Sequence, residues 1–159
     1  MKPTPKHLRQ RWRYLAIEIE TYPDVSVGRD VFQRALWRAC RSFAGDAGAA
    51  EADLTVFGYS FADGSGEAVI RTRRDSVSLA RAAVGCLSEV DEHPIRLRVR
   101  GVSGTVRGCE EKYLGRDQER IGEINVTVDG VNRIGYRRGS DVDVRFENTF
   151  VGATMLDIE

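Results

Sequence analysis

The feature that most constrains the fold is a run of six residues in which apolar and cationic side chains alternate without exception. The run reads Ile95, Arg96, Leu97, Arg98, Val99 and Arg100. A period of two predicts a β-strand with one aliphatic face and one guanidinium face. Because the aliphatic face has to be buried, this strand must belong to a sheet that packs on one side.

The preceding sequence supplies the other elements of such a sheet. Leu15, Ile17 and Ile19 alternate with polar neighbours, whereas apolar residues at spacings of three and four predict helices. In chain order we predict a strand at 12–20, a helix at 29–44, a loop at 47–53, strands at 54–61 and 67–74, a helix at 75–90 and the strand at 95–100. This βαββαβ order predicts an α+β, ferredoxin-like sandwich of the RNA-recognition-motif type. Its four-stranded antiparallel sheet would carry both helices on one face, with the first and third strands at the centre.

The predicted sandwich belongs to a domain at 1–114, which begins with a basic arm at 1–11. A turn at 102–106 would lead into a further helix at 107–120. The C-terminal extension at 115–159 is weakly patterned, although 124–128 and 142–146 alternate like strands. We expect this extension to form either a small extra hairpin or a partly ordered tail.

Composition excludes several classes of protein. Hydrophobic residues make up 42% of the chain and charged residues 30%, which is typical of a globular domain. No apolar run approaches the roughly 18 residues that a membrane helix needs. The basic N-terminus lacks the apolar stretch of a secretory signal, so we expect a cytoplasmic protein.

The sequence predicts neither a catalytic site nor a metal site. Cys40, Cys86 and Cys109 are far apart, and the only histidines are His7 and His93. A zinc site needs about four clustered ligands, so we expect buried, reduced thiols. Adjacent carboxylates have no histidine near them in the sequence, and no GxxxxGK[ST] phosphate loop occurs.

The guanidinium face of the 95–100 strand suggests an anionic ligand. Arg96, Arg98 and Arg100 would repel one another unless phosphates or carboxylates lie opposite. Glu18 and Glu20 on the first strand would supply part of that balance. The row is therefore either an RNA-binding surface or one side of a set of internal ion pairs.

Two further segments suit an RNA partner. Ser103, Thr105 and Arg107 lie where the predicted C-terminal helix begins, so free N–H groups, hydroxyls and a guanidinium would meet there. The alternative for the two hydroxyls is simple helix capping. Arg11 and Arg13 close a basic arm that also carries aromatic residues, a pattern that suits backbone tracking with base stacking. The alternative for the arm is disorder.

Other residues leave the choice of partner open. The segment 69–73 lacks the aromatic pair with which RNA-recognition motifs stack bases, which favours phosphate and shape contacts to a folded RNA. Phe57, Tyr59 and Phe61 alternate on the strand at 54–61, which either core packing or a protein interface would explain. Trp37, Phe57 and Tyr59 are the candidates for contacts with another protein. A helical row of arginines at 34, 38 and 41 is either a solvated face or a phosphate-facing ridge.

Four segments carry a family resemblance. They are 11–15 (RWRYL), 32–36 (FQRAL), 45–48 (GDAG) and, above all, 100–114 (RGVSGTVRGCEEKYL). These segments resemble the archaeal and eukaryotic ribonuclease P protein component 2 family, and the resemblance covers 6–114. The SGTVR block followed by KYL is its most specific part, whereas the sequence after Gly115 matches nothing in that pattern.

The resemblance implies a ferredoxin-like subunit of ribonuclease P, the ribonucleoprotein endonuclease that matures tRNA 5′ ends. In that particle the RNA, with bound magnesium, would perform the hydrolysis, so this chain would carry no cofactor and no catalytic residue. The implied partners are ribonuclease P RNA, precursor tRNA, the TIM-barrel protein component 3, other protein subunits and a second copy of the chain. Thr105 and Arg107 would lie near RNA, and Lys112 belongs to the same block. A ferredoxin-like ligand- or protein-binding module without RNA is the alternative.

Overall fold

The computed structural model describes residues 2–115, 122–138, 141–147 and 149–154. The chain divides into two compact units, unit 1 at Met1–Gly115 and unit 2 at Arg116–Glu159. No helix among the described residues is long and apolar enough to cross a membrane.

Unit 1 is an α+β unit built on a four-stranded antiparallel sheet, as the sequence predicted. Its elements in chain order are β1 (Trp12–Glu20), α1 (Arg29–Ala52), β2 (Thr55–Ala62), β3 (Ser65–Arg73), α2 (Val77–Cys86), β4 (Glu89–Val90), β5 (His93–Pro94), β6 (Arg96–Ser103) and α3 (Val106–Tyr113). The strand order in the sheet is β2-β3-β1-β6, and every neighbouring pair is antiparallel. The first and third strands of the chain therefore lie at the centre, as predicted.

The main core lies between the sheet and the two longer helices. Leu15, Ile17 and Ile19 of β1 are fully buried on the face that meets α1 and α2. Phe32 of α1 and Ala80 of α2 are fully buried from the helix side. Burying an aliphatic side chain of this size contributes about 1.5–3 kcal/mol, so the alternation in β1 is enough to fix which face is covered.

Helix α1 is longer than predicted because the helical conformation resumes after Gly45. Gly45 has φ 74° and ψ 174°, so the first helical segment does end there. The loop predicted at 47–53 is wrong, since the helix resumes and runs to Ala52. The segment after Gly45 is rich in alanine, which has the highest helix propensity of all residues, and this explains why the helix resumes. Asp53 closes the helix in the left-handed conformation, with its N–H donating to the Ala49 carbonyl.

Helix α2 is shorter than predicted. A single 3₁₀ turn at Arg74–Ser76 precedes it, and the helix ends at Cys86 rather than near Val90. Two short strands, β4 and β5, then form a separate hairpin. Asp91 and Glu92 occupy its turn with φ 48° and 64°, respectively. Positive φ at two successive residues is typical of a type I′ turn, which lets the chain reverse before β6.

Side chains of α1 occupy the outer edge of β2. Arg29 Nη2 donates to the Val56 carbonyl at 2.6 Å, and Gln33 Oε1 accepts from the Val56 N–H at 2.7 Å. Trp37 Nε1 donates to the Leu54 carbonyl at 2.6 Å. The first peptide groups of this edge strand are therefore bonded by side chains instead of by a further strand.

Helix α3 packs on the opposite face of the sheet from α1 and α2. Ala16 of β1 and Val69 of β3 are paired neighbours, and both are buried against Cys109 of α3. Tyr113 lies directly over Gly101 of β6, where an added Cβ would overlap its ring. The face expected to be open therefore has a helix across its centre. This helix ends at Tyr113, and positions 116–120 of the predicted helix lie outside the described residues.

Unit 2 is a second antiparallel sheet. Its strands are β7 (Gly122–Val128), β8 (Val131–Arg138), β9 (Asp141–Phe146) and β10 (Thr149–Thr154), in the order β10-β9-β8-β7. Val126, Val142 and Val144 form its buried cluster. The strands expected at 124–128 and 142–146 correspond to β7 and β9. They belong to a four-stranded sheet and not to a single hairpin, because each strand pairs with its successor. Asp129-Gly130, with φ 51° and 75°, forms one of the tight turns that make this pairing possible.

We predict that Gly101→Ala lowers the free energy of unfolding by about 1–3 kcal/mol, because the new methyl group would displace Tyr113 and lift α3 from the sheet. Urea unfolding followed by circular dichroism measures the change. Gly85→Ala is the control, since an added Cβ there meets nothing within 4 Å and alanine favours an exposed helix position. Equal losses in the two variants would contradict the proposed packing.

Candidate nucleic-acid interface

The sheet face that carries α3 has two ends with different chemistry. Near the start of β1, Trp12 pairs with Arg73 of β3, and Tyr14 pairs with Arg71 and with Ser103 of β6. Near the end of β1, the same face carries three carboxylates and the arginines of β6. We call the first region the aromatic end (Trp12, Tyr14, Phe57, Arg71 and Arg73). We call the second the carboxylate end (Glu18, Glu20, Glu67, Arg96, Arg98 and Arg100).

At the carboxylate end, two of the three predicted arginines pair within the protein. Arg100 donates to Glu18 Oε2, and Arg96 lies 4.0 Å from Glu20 Oε2. The carboxylates are largely buried, with relative exposures of 9% for Glu18 and 7% for Glu20. The row is therefore a ladder of opposite charges and not a free guanidinium face. Such cross-strand pairs each contribute about 0.2–1 kcal/mol to the sheet.

The position of Arg100 comes from an irregularity in the strand pairing. Ile17 pairs with Val99, whereas its neighbour Ala16 pairs with Gly101, so Arg100 is the extra residue of a β-bulge. The bulge lets Arg100 reach Glu18 although Arg98 is the residue directly opposite it. Arg98 is exposed and has no ion pair among the residues that the structure describes.

The turn before α3 uses both of its predicted hydroxyls for capping. Thr105 is the N-cap of α3, and its Oγ1 accepts from the Gly108 N–H at 2.9 Å. Ser103 Oγ accepts a longer bond from the Thr105 N–H at 3.4 Å. Gly108 has no room for a side chain, because a Cβ there would overlap the Ser103 hydroxyl. These hydroxyls fix the turn, so they would act on RNA mainly through the residues that they position.

Arg107 is the most exposed cation of this turn. Its side chain is 85% exposed, and its Nε donates to Glu111 Oε1 at 2.6 Å, one helical turn away. An exposed pair at this spacing contributes only about 0.3–0.5 kcal/mol, so a phosphate can replace the carboxylate at small cost. Lys112 is also exposed on α3.

The basic arm joins the same end of the sheet. The Arg74 N–H donates to the Arg11 carbonyl at 2.9 Å, which extends the pairing of β1 and β3 beyond Trp12. Arg13 Nη1 donates to the Trp12 carbonyl at 2.9 Å. Because Tyr14 pairs with Ser103, the structure brings Arg11 and Arg13 to the end of the sheet where the turn before α3 begins.

Sequence reasoning missed the arginines of β3. Arg71 lies over the Trp12 ring with 3.9 Å between Cζ and the ring centroid, and 4.8 Å from the Phe57 centroid. Arg73 lies 5.4 Å from Trp12 and 3.9 Å from the Asp53 carboxylate. The segment 69–73 has no aromatic residue of its own, so a search within one strand finds nothing. Pairing β1 with β3 in register would have revealed the cluster.

The predicted protein contacts do not form one surface. The pairing of β2 with β3 shifts between Val56 and Gly58, so Phe57 sits in a bulge on the α3 side of the sheet. Tyr59 points to the other side, where its ring lies 5.5 Å from Phe32. The three-residue alternation that the sequence suggested for β2 is therefore broken at Phe57. Trp37 is 48% exposed on α1.

The Tyr59 side chain is hydrogen-bonded within unit 1. Its hydroxyl donates to the Val27 carbonyl at 2.5 Å, and burial raises its pKa to about 12. A phenol with that pKa stays neutral under ordinary conditions and serves as a donor. This bond anchors the segment between β1 and α1, and a protein contact by Tyr59 remains a prediction.

The described residues contain no group of three or more His, Cys, Asp or Glu side chains that could hold a metal ion. Cys40 and Cys109 are buried, and burial raises the pKa of both thiols. Cys109 Sγ also donates to the Tyr14 carbonyl at 3.0 Å. Cys86 is exposed, so the expectation of burial is wrong for this one thiol.

Comparison with known proteins identifies the family. The model of the Rpp14/Pop5 family matches residues 13–114, which is most of unit 1. The chain belongs to the Rpp14/Pop5 family. The match includes β1, β3, β6 and α3, the elements that carry the aromatic end and the turn before α3.

Individual relatives match over both units. The protein named ribonuclease P protein component 2 from Halorubrum lacusprofundi is 49% identical over 159 residues, covering 100% of each chain. Its namesake from Natronomonas pharaonis is 51% identical over 158 residues, covering 99% of this chain and 98% of that one. A chain in a cryo-EM structure of yeast ribonuclease MRP superposes on 72% of this chain and 86% of its own length, with a TM-score of 0.49 and 14% identity.

We predict that N-ethylmaleimide labels one thiol rapidly in the folded protein at about pH 8 and the other two only on unfolding. The raised pKa values keep Cys40 and Cys109 as neutral thiols, which are poor nucleophiles, whereas Cys86 is accessible. Mass spectrometry counts the labels. In the Cys86→Ser variant the rapid phase should vanish; rapid labelling that persists in this variant would contradict the burial of the other thiols.

Proposed function

We propose that this chain is a cytoplasmic protein subunit of ribonuclease P, the ribonucleoprotein endonuclease that removes the 5′ leader of precursor tRNA. The observation that carries the proposal is its full-length identity of about half to proteins named ribonuclease P protein component 2. In this role it binds and stabilises the catalytic RNA. The RNA, with its bound magnesium, performs the hydrolysis, and the chain itself supplies no catalytic residue and binds no cofactor.

The proposed fold of unit 1 is the ferredoxin-like sandwich. The βαββαβ order and the sheet order β2-β3-β1-β6, with α1 and α2 on one face, support this assignment. The departure from a simple RNA-recognition motif is α3, which covers the centre of the face that such motifs leave open for RNA. RNA must therefore approach the ends of this face rather than its middle.

The proposed RNA-binding surface is the end of the sheet where the basic arm and the turn before α3 meet. Its cations are Arg11, Arg13 and Arg107, while Ser103 and Thr105 hold the turn that presents Arg107. Lys112 is a further proposed contact in the last turn of α3, which runs toward the carboxylate end, where the Gly115 N–H donates to the Glu67 carboxylate at 3.0 Å. Arginine suits this role because its planar fork bonds phosphate at two points.

The predicted row on β6 has a smaller proposed part in RNA binding. Arg98 is exposed and contributes directly. Arg96 and Arg100 contribute only where phosphate replaces the carboxylates of Glu20 and Glu18. Removing a buried carboxylate from its arginine is costly, so we place the main contacts at the other end of the sheet.

The proposed partners are ribonuclease P RNA, the TIM-barrel protein component 3, the other protein subunits and a second copy of this chain, with precursor tRNA as the substrate of the whole particle. Trp37, Phe57 and Tyr59 are the residues predicted to contact a protein. Trp37 is exposed on α1, on the opposite side of the sheet from α3, which supports a protein partner on that side, whereas Phe57 lies at the aromatic end beside Arg71.

A protein-binding module without RNA is the second candidate. The internal pairing of Arg96 and Arg100 favours it, because a neutralised row attracts polyanions weakly. Salt dependence separates the two candidates. Phosphate contacts release counterions, so RNA affinity should fall steeply with salt, whereas the second candidate has no salt-dependent RNA binding.

We predict that the isolated chain cleaves no precursor tRNA but raises the rate of 5′-leader removal when added to cognate ribonuclease P RNA and the remaining subunits. Gel analysis of labelled precursor tRNA measures the rate with and without the chain, at fixed magnesium. An equal rate after omission of the chain would remove the proposal's main support.

We predict that Arg107→Ala weakens binding to ribonuclease P RNA without sequence preference and reduces the salt slope by about one. The reason is the loss of one exposed phosphate contact at the turn before α3. Filter binding over a range of salt concentrations gives the slope. Arg81→Ala, an exposed position on α2, is the matched control and should leave it unchanged. An unaltered slope in Arg107→Ala would restrict Arg107 to its bond with Glu111.

A further inference from the structure

The guanidinium of Arg71 is held in place by rings and not by charge. It stacks on Trp12 at 3.9 Å and faces Phe57 at 4.8 Å, each measured from Cζ to the ring centroid. Its Nε is buried without a hydrogen-bond partner. Within the part of the chain that the structure describes, Arg71 has no ion pair, whereas its neighbour Arg73 lies beside Asp53. Arg71 is thus a fixed cation whose hydrogen-bonding capacity is unused.

Phe57 provides an exposed ring next to this cation. The bulge in β2 places it on the α3 side of the sheet, and 42% of its side chain is exposed. Tyr14 packs edge-on against it, with 5.7 Å between ring centroids and an interplanar angle of 79°. The edge contact and the cation fix the orientation of the ring. Because of the bulge, Phe57 lies on the α3 side of the sheet although Tyr59, two residues later, packs on Phe32 on the other side.

An aromatic ring beside an arginine matches the two parts of a nucleotide. Bases stack on aromatic side chains, and an arginine fork bonds phosphate. We infer that the aromatic end binds an unpaired RNA nucleotide, whose base stacks on Phe57 and whose phosphate bonds the Arg71 guanidinium. This inference rests on the proposed function and adds a second contact, separate from the turn before α3.

The surroundings favour an unpaired RNA over a duplex and over a protein. A base inside a duplex is stacked on its neighbours and cannot reach a side-chain ring. A protein interface of ordinary strength needs a continuous apolar patch. The rings of Tyr14 and Trp12 lie on the same face as Phe57, but the Arg71 guanidinium stands between Phe57 and Trp12. Gly58 and the small polar Thr55 flank Phe57 on β2, so a cation interrupts the apolar surface. Recognition by stacking and charge tolerates any base sequence.

The test compares unpaired with paired RNA on the full chain. Fluorescence anisotropy at constant low salt measures affinity for a labelled octaadenylate and for a labelled blunt-ended RNA duplex. Phe57→Leu, which keeps an apolar side chain, should weaken octaadenylate binding about tenfold and leave duplex binding unchanged. Arg71→Gln should weaken octaadenylate binding and flatten its salt dependence by somewhat less than one unit of slope.

Matched controls lie in the helical layer. Phe43→Leu and Arg81→Lys alter an exposed ring and an exposed arginine on α1 and α2, and both should leave octaadenylate affinity unchanged. A direct readout comes from Trp12 in a Trp37→Phe background, because the chain has 2 tryptophans. Its emission should change as octaadenylate saturates the protein. Circular dichroism confirms that each variant is folded.

Three outcomes would overturn the inference. The first is an equal loss of octaadenylate and duplex binding in Phe57→Leu, and the second is a constant Trp12 emission at saturation. The third is a Phe57→Leu variant that binds octaadenylate normally and fails to assemble with the other protein subunits. The inference fails alone if the chain stimulates tRNA trimming but Phe57→Leu has no effect on octaadenylate. The proposed function fails alone if octaadenylate binds as described and tRNA trimming is independent of the chain.

Discussion

The packing of α3 against the centre of the sheet determines where this protein can meet another molecule. The contact depends on small residues in three adjacent strands, Ala16, Val69 and Gly101, which leave room for Cys109 and Tyr113. With larger residues at these positions α3 could not pack on the sheet, and this face would be exposed. Because α3 covers the centre, only the two ends of the face are open. The side chains that the strands place at each end differ in charge and in aromatic content.

Charge then distinguishes the two ends. Carboxylates of β1 neutralise Arg96 and Arg100 of β6 at one end, whereas at the other end aromatic rings hold Arg71 without neutralising it. Rings position a cation and leave its charge available to solvent or a ligand, but a buried carboxylate competes with any incoming phosphate. A net charge of zero for the whole chain therefore conceals a local asymmetry that only the fold creates.

Alternation of residues was sufficient to predict β1 and β6, because a period of two fixes which face is buried. The order of the strands in the sheet followed from the βαββαβ order of the elements along the chain. Long-range contacts were not predictable in the same way. Helix α1 resumes after Gly45 since local propensity outweighs one glycine, and the bulge at Phe57 breaks an alternation that looks regular in the sequence. Residues at the candidate site were found where one segment contains them all, as at Ser103–Arg107. The cluster of Trp12, Phe57 and Arg71 was missed because three strands each contribute one residue. Arg71 was not predicted as a site residue, and Phe57 was assigned to a protein contact.

The side chains of α1 that bond the edge of β2 have a consequence for solubility. The strand reads TVFGYSFA, with no charged residue and with the aromatic and β-branched content of segments that aggregate. A strand from another molecule can add to such an edge by bonding its unpaired N–H and C=O groups. Arg29, Gln33 and Trp37 occupy the peptide groups that such a strand would need at Leu54 and Val56. The first turns of α1 therefore block the addition of another molecule's strand at this part of the edge.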